Sequence, residues 1–118
     1  MPNTVGSSIP GLTLETSSYN DGTVVHCAGR LTAAFTSILH ERVKGLFPTA
    51  RRVVLDLTDV AQMDSMGLGT IVGLYVSAKA SGCELELINL SKQVRRLLSL
   101  TNLLALFEPC GQHMTRIP

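Results

Sequence analysis

Hydrophobic and polar positions change their period along this chain, and the changes mark out its elements. Leu12-Thr13-Leu14-Glu15 and Thr23-Val24-Val25-His26-Cys27-Ala28 are strand-like, and the turn-prone Asn20-Asp21-Gly22 between them predicts an antiparallel hairpin. After Gly29-Arg30-Leu31, Thr32 is placed to cap a helix. The apolar positions Phe35, Leu39, Val43 and Leu46 recur there at three- and four-residue spacing, and Pro48 stops the helix. Arg52-Val53-Val54-Leu55-Asp56-Leu57 reads as a buried strand that gives way at the polar Thr58-Asp59 and enters the next helix through a loop. That helix presents Leu68, Ile71, Val72 and Tyr75 on one face and ends at Ser81-Gly82.

Glu84-Leu85-Glu86-Leu87-Ile88 alternates as a strand does, and Ser91 can cap a third helix with Val94, Leu97, Leu98 and Thr101 turned inward. Asn102 suits the left-handed turn that ends it, and Leu103-Leu104-Ala105-Leu106-Phe107 fits a short strand or helix equally. Alternating β and α units after an opening hairpin predict an α/β sandwich. Residues 1–10 read as a loose N-terminal segment of a single domain spanning 1–118.

Composition narrows the function classes. With 118 residues, 45% of them hydrophobic and 16% charged, the chain suits one globular domain. A formal charge of +1 carries no field for nucleic acid. The N-terminus lacks the basic start and apolar core of a secretory signal, so a cytoplasmic location is expected. The longest apolar run, Leu68 to Ala80, is interrupted by Gly69, Gly73 and Lys79 and is too short for direct membrane insertion. Cys27, Cys83 and Cys110 form no Cys-x-x-Cys pair and read as reduced thiols, Cys27 as a core residue; no metal site is expected.

The candidate chemistry gathers in Met63-Asp64-Ser65-Met66-Gly67-Leu68-Gly69, which sets the Ser65 hydroxyl at a helix start. Unpaired N–H groups and the positive end of the helix dipole lie there, so the hydroxyl can cap the helix or carry a phosphate. Gly67, Gly69 and Gly73 are costly in a helix, and Gly69 and Gly73 share a face. They predict a close approach to the sheet or to a partner.

Gly67-x-Gly69-x-x-x-Gly73 is not the spacing of a dinucleotide loop, Asn89 supplies no acidic ribose partner, and no Gly-Lys-Ser/Thr makes a P-loop. A serine-hydrolase elbow around Ser65 requires glycine where Met63 stands, and of the available bases His26, His40 and His113 the first two read as structural. No second carboxylate joins Asp64 for acid/base work, and Lys92 with Arg95-Arg96 reads as a solvated helix face. No catalytic residue and no cofactor follow from these patterns.

Val53-Val54-Leu55-Asp56-Leu57 followed by Met63-Asp64-Ser65-Met66-Gly67-Leu68-Gly69 resembles STAS domains of the anti-sigma-factor antagonist family. The likeness extends to Gly29-Arg30-Leu31-Thr32, similar to the family's turn before its first helix. It also includes Glu84-Leu85-Glu86-Leu87-Ile88 and Val94-Arg95-Arg96-Leu97-Leu98, and so runs from Leu12 to Phe107. The resemblance implies a mixed sheet of four to five strands with helices packed on one side. It also implies a non-enzymatic partner-switching protein of bacterial transcription regulation, which binds an anti-sigma factor that is itself a serine kinase and is released when Ser65 is phosphorylated. ATP would belong to that partner.

The partner-binding residues it implies are Thr32, Asp64, Ser65, Met66, Gly67 and Gly69. Two positions depart from the family pattern: Thr32 stands where many antagonists have an aspartate, and Met66 where they have a second serine. These departures leave open an unphosphorylated STAS subunit of a membrane or lipid-transport complex, and the glycine-rich helix start leaves a small-ligand or nucleotide binder as the alternative of another class. The oligomeric state stays open.

Overall fold

Alternation of inward apolar and outward polar residues builds one sheet, and the computed structural model describes residues 5–9, 11–19 and 22–101 of it and its helices. The strands are β1 (Val5–Ile9), β2 (Leu12–Tyr19), β3 (Gly22–Leu31), β4 (Arg52–Met63) and β5 (Glu84–Ile88), in spatial order β1-β2-β3-β4-β5. β1, β2 and β3 pair antiparallel, whereas β3, β4 and β5 are parallel, so the sheet is mixed as expected. The hairpin forms where Asn20-Asp21 was expected to turn, closing on the pair Tyr19 and Gly22. Val5–Ile9, within the segment read as loose, pairs along β2 as an edge strand.

Parallel pairing requires crossovers, and the helices supply them. A short 3₁₀ turn (Ala33–Phe35) leads into α1 (Thr36–Lys44), and α2 (Ser65–Ala80) joins β4 to β5. α1 and α2 pack on one another over the sheet face bearing Val25, Cys27, Val53, Leu55, Leu57, Leu85 and Leu87. α3 (Lys92–Leu100) packs against β4 and buries Val94 and Leu98. Ser91 caps it as expected, accepting from Val94 N at 3.2 Å. Asn102 and residues 103–107 lie outside the described residues.

Several boundaries differ from the sequence reading. α1 ends at Lys44, four residues before Pro48, because the backbone tightens at Gly45 into successive turns. Thr32 precedes the 3₁₀ turn without a side-chain cap; its carbonyl accepts from Phe35 N at 2.8 Å instead. Gly29-Arg30-Leu31 is strand rather than turn, and Gly29 suits its place twice over: its φ is +113, and a Cβ there would strike the Gly11 carbonyl.

The largest difference is β4, which runs on to Met63 with no loop before α2. Its pairing with β3 slips twice, between His26 and Ala28 and again between Gly29 and Arg30, so twelve residues of β4 pair with ten of β3. Each bulge adds one residue and moves the inward positions from every second to every third: Val53, Leu55, Leu57, then Val60 and Met63. A period of three resembles neither a strand nor a helix in sequence.

The first bulge is clamped by side chains. Thr58 donates to Asp56 Oδ1 from its backbone N, at 3.0 Å, and from its hydroxyl, and Asn89 Nδ2 donates to the same oxygen at 3.0 Å. His26 spans the bulge, with Nδ1 at 3.2 Å from Asp56 and Nε2 at 2.9 Å from Asp59. Burial pulls the imidazole down, but the bonds and charges of Asp56 and Asp59 outweigh it and hold His26 above its ordinary 6.5. Burial pushes Asp56 up, yet the bonds from Thr58, Asn89 and His26 outweigh it and hold the carboxyl below its ordinary 3.8.

The raised His26 contributes stability that is complete below pH 6.5 and is lost as pH rises through its folded value. The lowered Asp56 contributes above pH 3.8 and is lost as pH falls through its folded value. Urea denaturation should therefore show a stability maximum in the weakly acidic window between these limits. His26→Gln should cost about 0.5–1 kcal/mol at pH 6, discounted for solvent exposure, and should flatten the alkaline limb. A variant with the wild-type pH profile would contradict the clamp.

Candidate functional site at the start of the second helix

Because β3 and β4 are parallel, both end at the same edge of the sheet, where Leu31 pairs with Met63. The chain leaves β3 through Thr32-Ala33 and leaves β4 through Asp64-Ser65, and one side chain ties the two exits together. Asp64, extended at φ −114 and ψ −175, accepts from Gly67 N with Oδ1 at 2.9 Å and from Ala33 N with Oδ2 at 3.1 Å. The Gly67 N–H foremost, with those of Ala33 and Met66, holds the Asp64 carboxyl below the usual carboxylate value against the opposing effect of desolvation.

Asp64, rather than the Ser65 hydroxyl, is therefore the cap of α2. Ser65 is the first helical residue, exposed, and its hydroxyl makes no hydrogen bond among the described residues. Beside it Met66 is 57% exposed, a large apolar side chain left in water next to a free hydroxyl. Thr32 is half-buried across the edge, and Ala33 and Ala34 are exposed.

The three glycines separate by role. Gly67 is buried, and a Cβ there would collide with the Leu31 carbonyl, so glycine at this position lets α2 start directly against the end of β3. Gly69 and Gly73 are exposed, with nothing within 4 Å of a Cβ at either. The expected close approach to the sheet is thus made by Gly67 and not by the other two, each of which still costs the helix about 1 kcal/mol against alanine. All three lie within α2, so the glycines form no loop of free N–H groups around a phosphate.

Other rivals fare no better. Both ring nitrogens of His26 are engaged by aspartates, so it is a satisfied strand histidine and no base for Ser65. His113 and Cys110 lie outside the described residues. Cys27 is fully buried, with its thiol pushed up to about 12 by burial, the core residue expected. Among the described residues, no group of His, Cys, Asp and Glu could hold a metal ion, and no helix is long and apolar enough to cross a membrane. The sequence reading found Asp64, Ser65, Met66 and Gly67, but not the bond from Ala33, whose partner is 31 residues distant and has no local signature.

Comparison with known proteins agrees with this fold. The STAS domain family model matches residues 13–115. The anti-sigma-B factor antagonist of Bacillus subtilis is 35% identical over 79 residues, 67% of this chain and 72% of that one. The antagonist of the same name from Listeria monocytogenes is 43% identical over 54 residues, of which this chain spans about half, 47%. Among solved structures, an anti-sigma factor antagonist from Mycobacterium paratuberculosis superposes with a TM-score of 0.75 at 20% identity, covering 86% of each chain. The Bacillus protein SpoIIAA in its phosphorylated form superposes at 0.63 with 16% identity, covering 76% of this chain and 84% of that one. Its unphosphorylated form is similar as well, at 0.66. At these identities the superpositions establish the fold.

Proposed function

The chain belongs to the STAS domain family, among the anti-sigma factor antagonists, and from that premise we propose that it is a cytoplasmic, non-enzymatic partner switch. In this reading the edge formed by Thr32, Asp64, Ser65, Met66, Gly67 and Gly69 docks an anti-sigma factor with serine kinase activity, and phosphorylation of Ser65 ends the docking. One observation carries it: the Ser65 hydroxyl is exposed and unbonded at the first turn of α2, beside the exposed Met66. A kinase can reach such a hydroxyl without unfolding the helix. A docking protein can bury Met66, and an apolar anchor of this kind is a common source of interface energy.

The fate of the phosphate follows from Asp64. A phosphate at a helix start is ordinarily welcomed by free N–H groups. Here the Gly67 and Ala33 N–H groups already donate to the Asp64 carboxylate, so the helix has little left to offer a second anion. The charge added at Ser65, nearly two units, would remain directed outward at whatever is docked and beside an ionised carboxylate.

The relatives lend support in kind. SpoIIAA is a protein known in both phosphorylated and unphosphorylated forms, and the B. subtilis relative bears the name of an antagonist of an anti-sigma factor. Intact mass after incubation with the cognate kinase and ATP should rise by one phosphate, and Ser65→Ala should abolish the rise. Absence of the rise in the wild type would refute the switch.

The exposed Met66 also favours a second reading, in which the edge docks a protein without any phosphorylation. Retention of the same partner by the wild type in the presence and absence of ATP would select it.

A further inference from the structure

α2 is apolar or small all the way round. Its inward arc, Gly67, Leu68, Ile71, Leu74, Tyr75 and Ala78, is buried. Its outward arc, Met66, Gly69, Gly73, Val76 and Ala80, is exposed, and Lys79 is the one charged residue in the helix. Surface helices turn charged residues to water, whereas a helix apolar on every side is normally a covered one. Among the described residues the exposed large hydrophobic side chains are Met66, Val76 and Leu100, and two of the three lie on this arc. The fold itself does not require the glycines of the arc, because a Cβ at Gly69 or Gly73 meets open space.

The five outward positions stand three, four, three and four residues apart, the seam along which two helices pack lengthwise. Taken in reverse the seam complements itself. With a two-fold axis at Gly73, Met66 of one copy faces Ala80 of the other, Val76 faces Thr70 next to Gly69, and Gly73 meets Gly73, so the longest side chain lies on a small one and the centre of the seam is bare. Charge obeys the same symmetry. Asp64 stands at one end of α2 and Lys79 near the other. An antiparallel pair sets the two helix dipoles against one another and brings the Lys79 of one copy toward the Asp64 carboxylate that caps the other, while a parallel pair would set Lys79 beside Lys79. Symmetric two-fold contacts are also the commonest between identical chains.

We propose that the outward face of α2 is the contact of a symmetric, antiparallel dimer of this chain. Sixteen residues of helix span about 24 Å, so the contact falls short of the ~1,200 Å² that stable interfaces bury and the dimer exchanges readily. It covers Met66 and flanks Ser65, so self-association and docking of another protein at that edge exclude one another.

Sedimentation equilibrium of the full chain alone, from about 10 µM to 1 mM, tests this without kinase or ATP, and so independently of the partner-switch reading. The apparent mass should climb from 12.7 kDa toward twice that value with concentration. Gly73→Lys and Val76→Lys should hold it at the monomer value while melting no earlier than the wild type. As a second measurement, Gly73→Cys in a Cys110→Ser background should oxidise to a disulfide-linked dimer much faster than Ser99→Cys on α3. A wild type that stays at 12.7 kDa throughout, a dimer that Gly73→Lys leaves intact, or equal oxidation rates for the two cysteines would each overturn the proposal.

Discussion

Phosphorylation of Ser65 is expected to weaken docking of the anti-sigma partner by about 100-fold, the equivalent of ~2.7 kcal/mol. Ser65→Asp, with one charge in place of nearly two, should weaken it by at least about tenfold. The reason lies in what already occupies the start of α2. The Asp64 carboxylate holds the Gly67 and Ala33 N–H groups, at 2.9 and 3.1 Å, and these bonds keep it ionised. A new anion at the next residue therefore meets a like charge and few unused donors. In water the repulsion is screened, but a docked protein displaces that water and strengthens it.

The effect should consequently be large in the complex and small in the free chain. Ser65→Asp should melt within a few degrees of the wild type. Ser65→Ala, which removes only a solvent-facing hydroxyl, should bind within about twofold of wild type. Titration calorimetry against the unphosphorylated partner measures all three, and equal affinities for Ser65→Ala and Ser65→Asp would remove the electrostatic basis of the switch.

Gly67→Ala is expected to destabilise the fold by about 3 kcal/mol, a large effect for adding one methyl group. The methyl would enter the space held by the Leu31 carbonyl, a backbone atom fixed by the β3–β4 ladder that has no rotamer with which to yield. Relief requires α2 to lift from the sheet edge, which would lengthen the Asp64 bond to Ala33 and unseat Leu68 and Ile71. The same substitution at Gly69 or Gly73 should stabilise the monomer by up to about 1 kcal/mol each, because alanine improves the helix and nothing stands in its way. Urea denaturation of the three variants side by side is the check. Equal behaviour at Gly67 and Gly73 would mean that α2 does not abut β3 as described.

The opposite fates of these glycines show where local pattern stops being informative. Three glycines within seven residues of one helix announce that the helix has a special neighbour, but glycine is bare on every side and does not say in which direction. The sheet edge decided it: Leu31 stands against Gly67 and nothing stands against Gly69 and Gly73. The loop expected after Leu57 has a similar origin. Alternation fails there because two bulges insert extra residues into β4, and a bulge is a property of the pair of strands, invisible in either alone. Its clamp joins His26 to Asp56 and Asp59, 30 and 33 residues distant, so His26 read correctly as structural without its partners being nameable.

The sequence by itself determined the β and α alternation, the β2–β3 hairpin, the Ser91 cap of α3, and the stretch from Asp64 to Gly67 as the place to look. These follow from interactions between residues a few positions apart, which composition and period record directly. The tertiary structure decided what that stretch presents. Parallel pairing of β3 and β4 brought Ala33 to Asp64, which took the capping bonds and left the Ser65 hydroxyl free in water. It also turned Met66, Gly69, Gly73 and Val76 outward together. Exposure and long-range bonds are fixed by how the elements meet, and no window of local sequence contains that information.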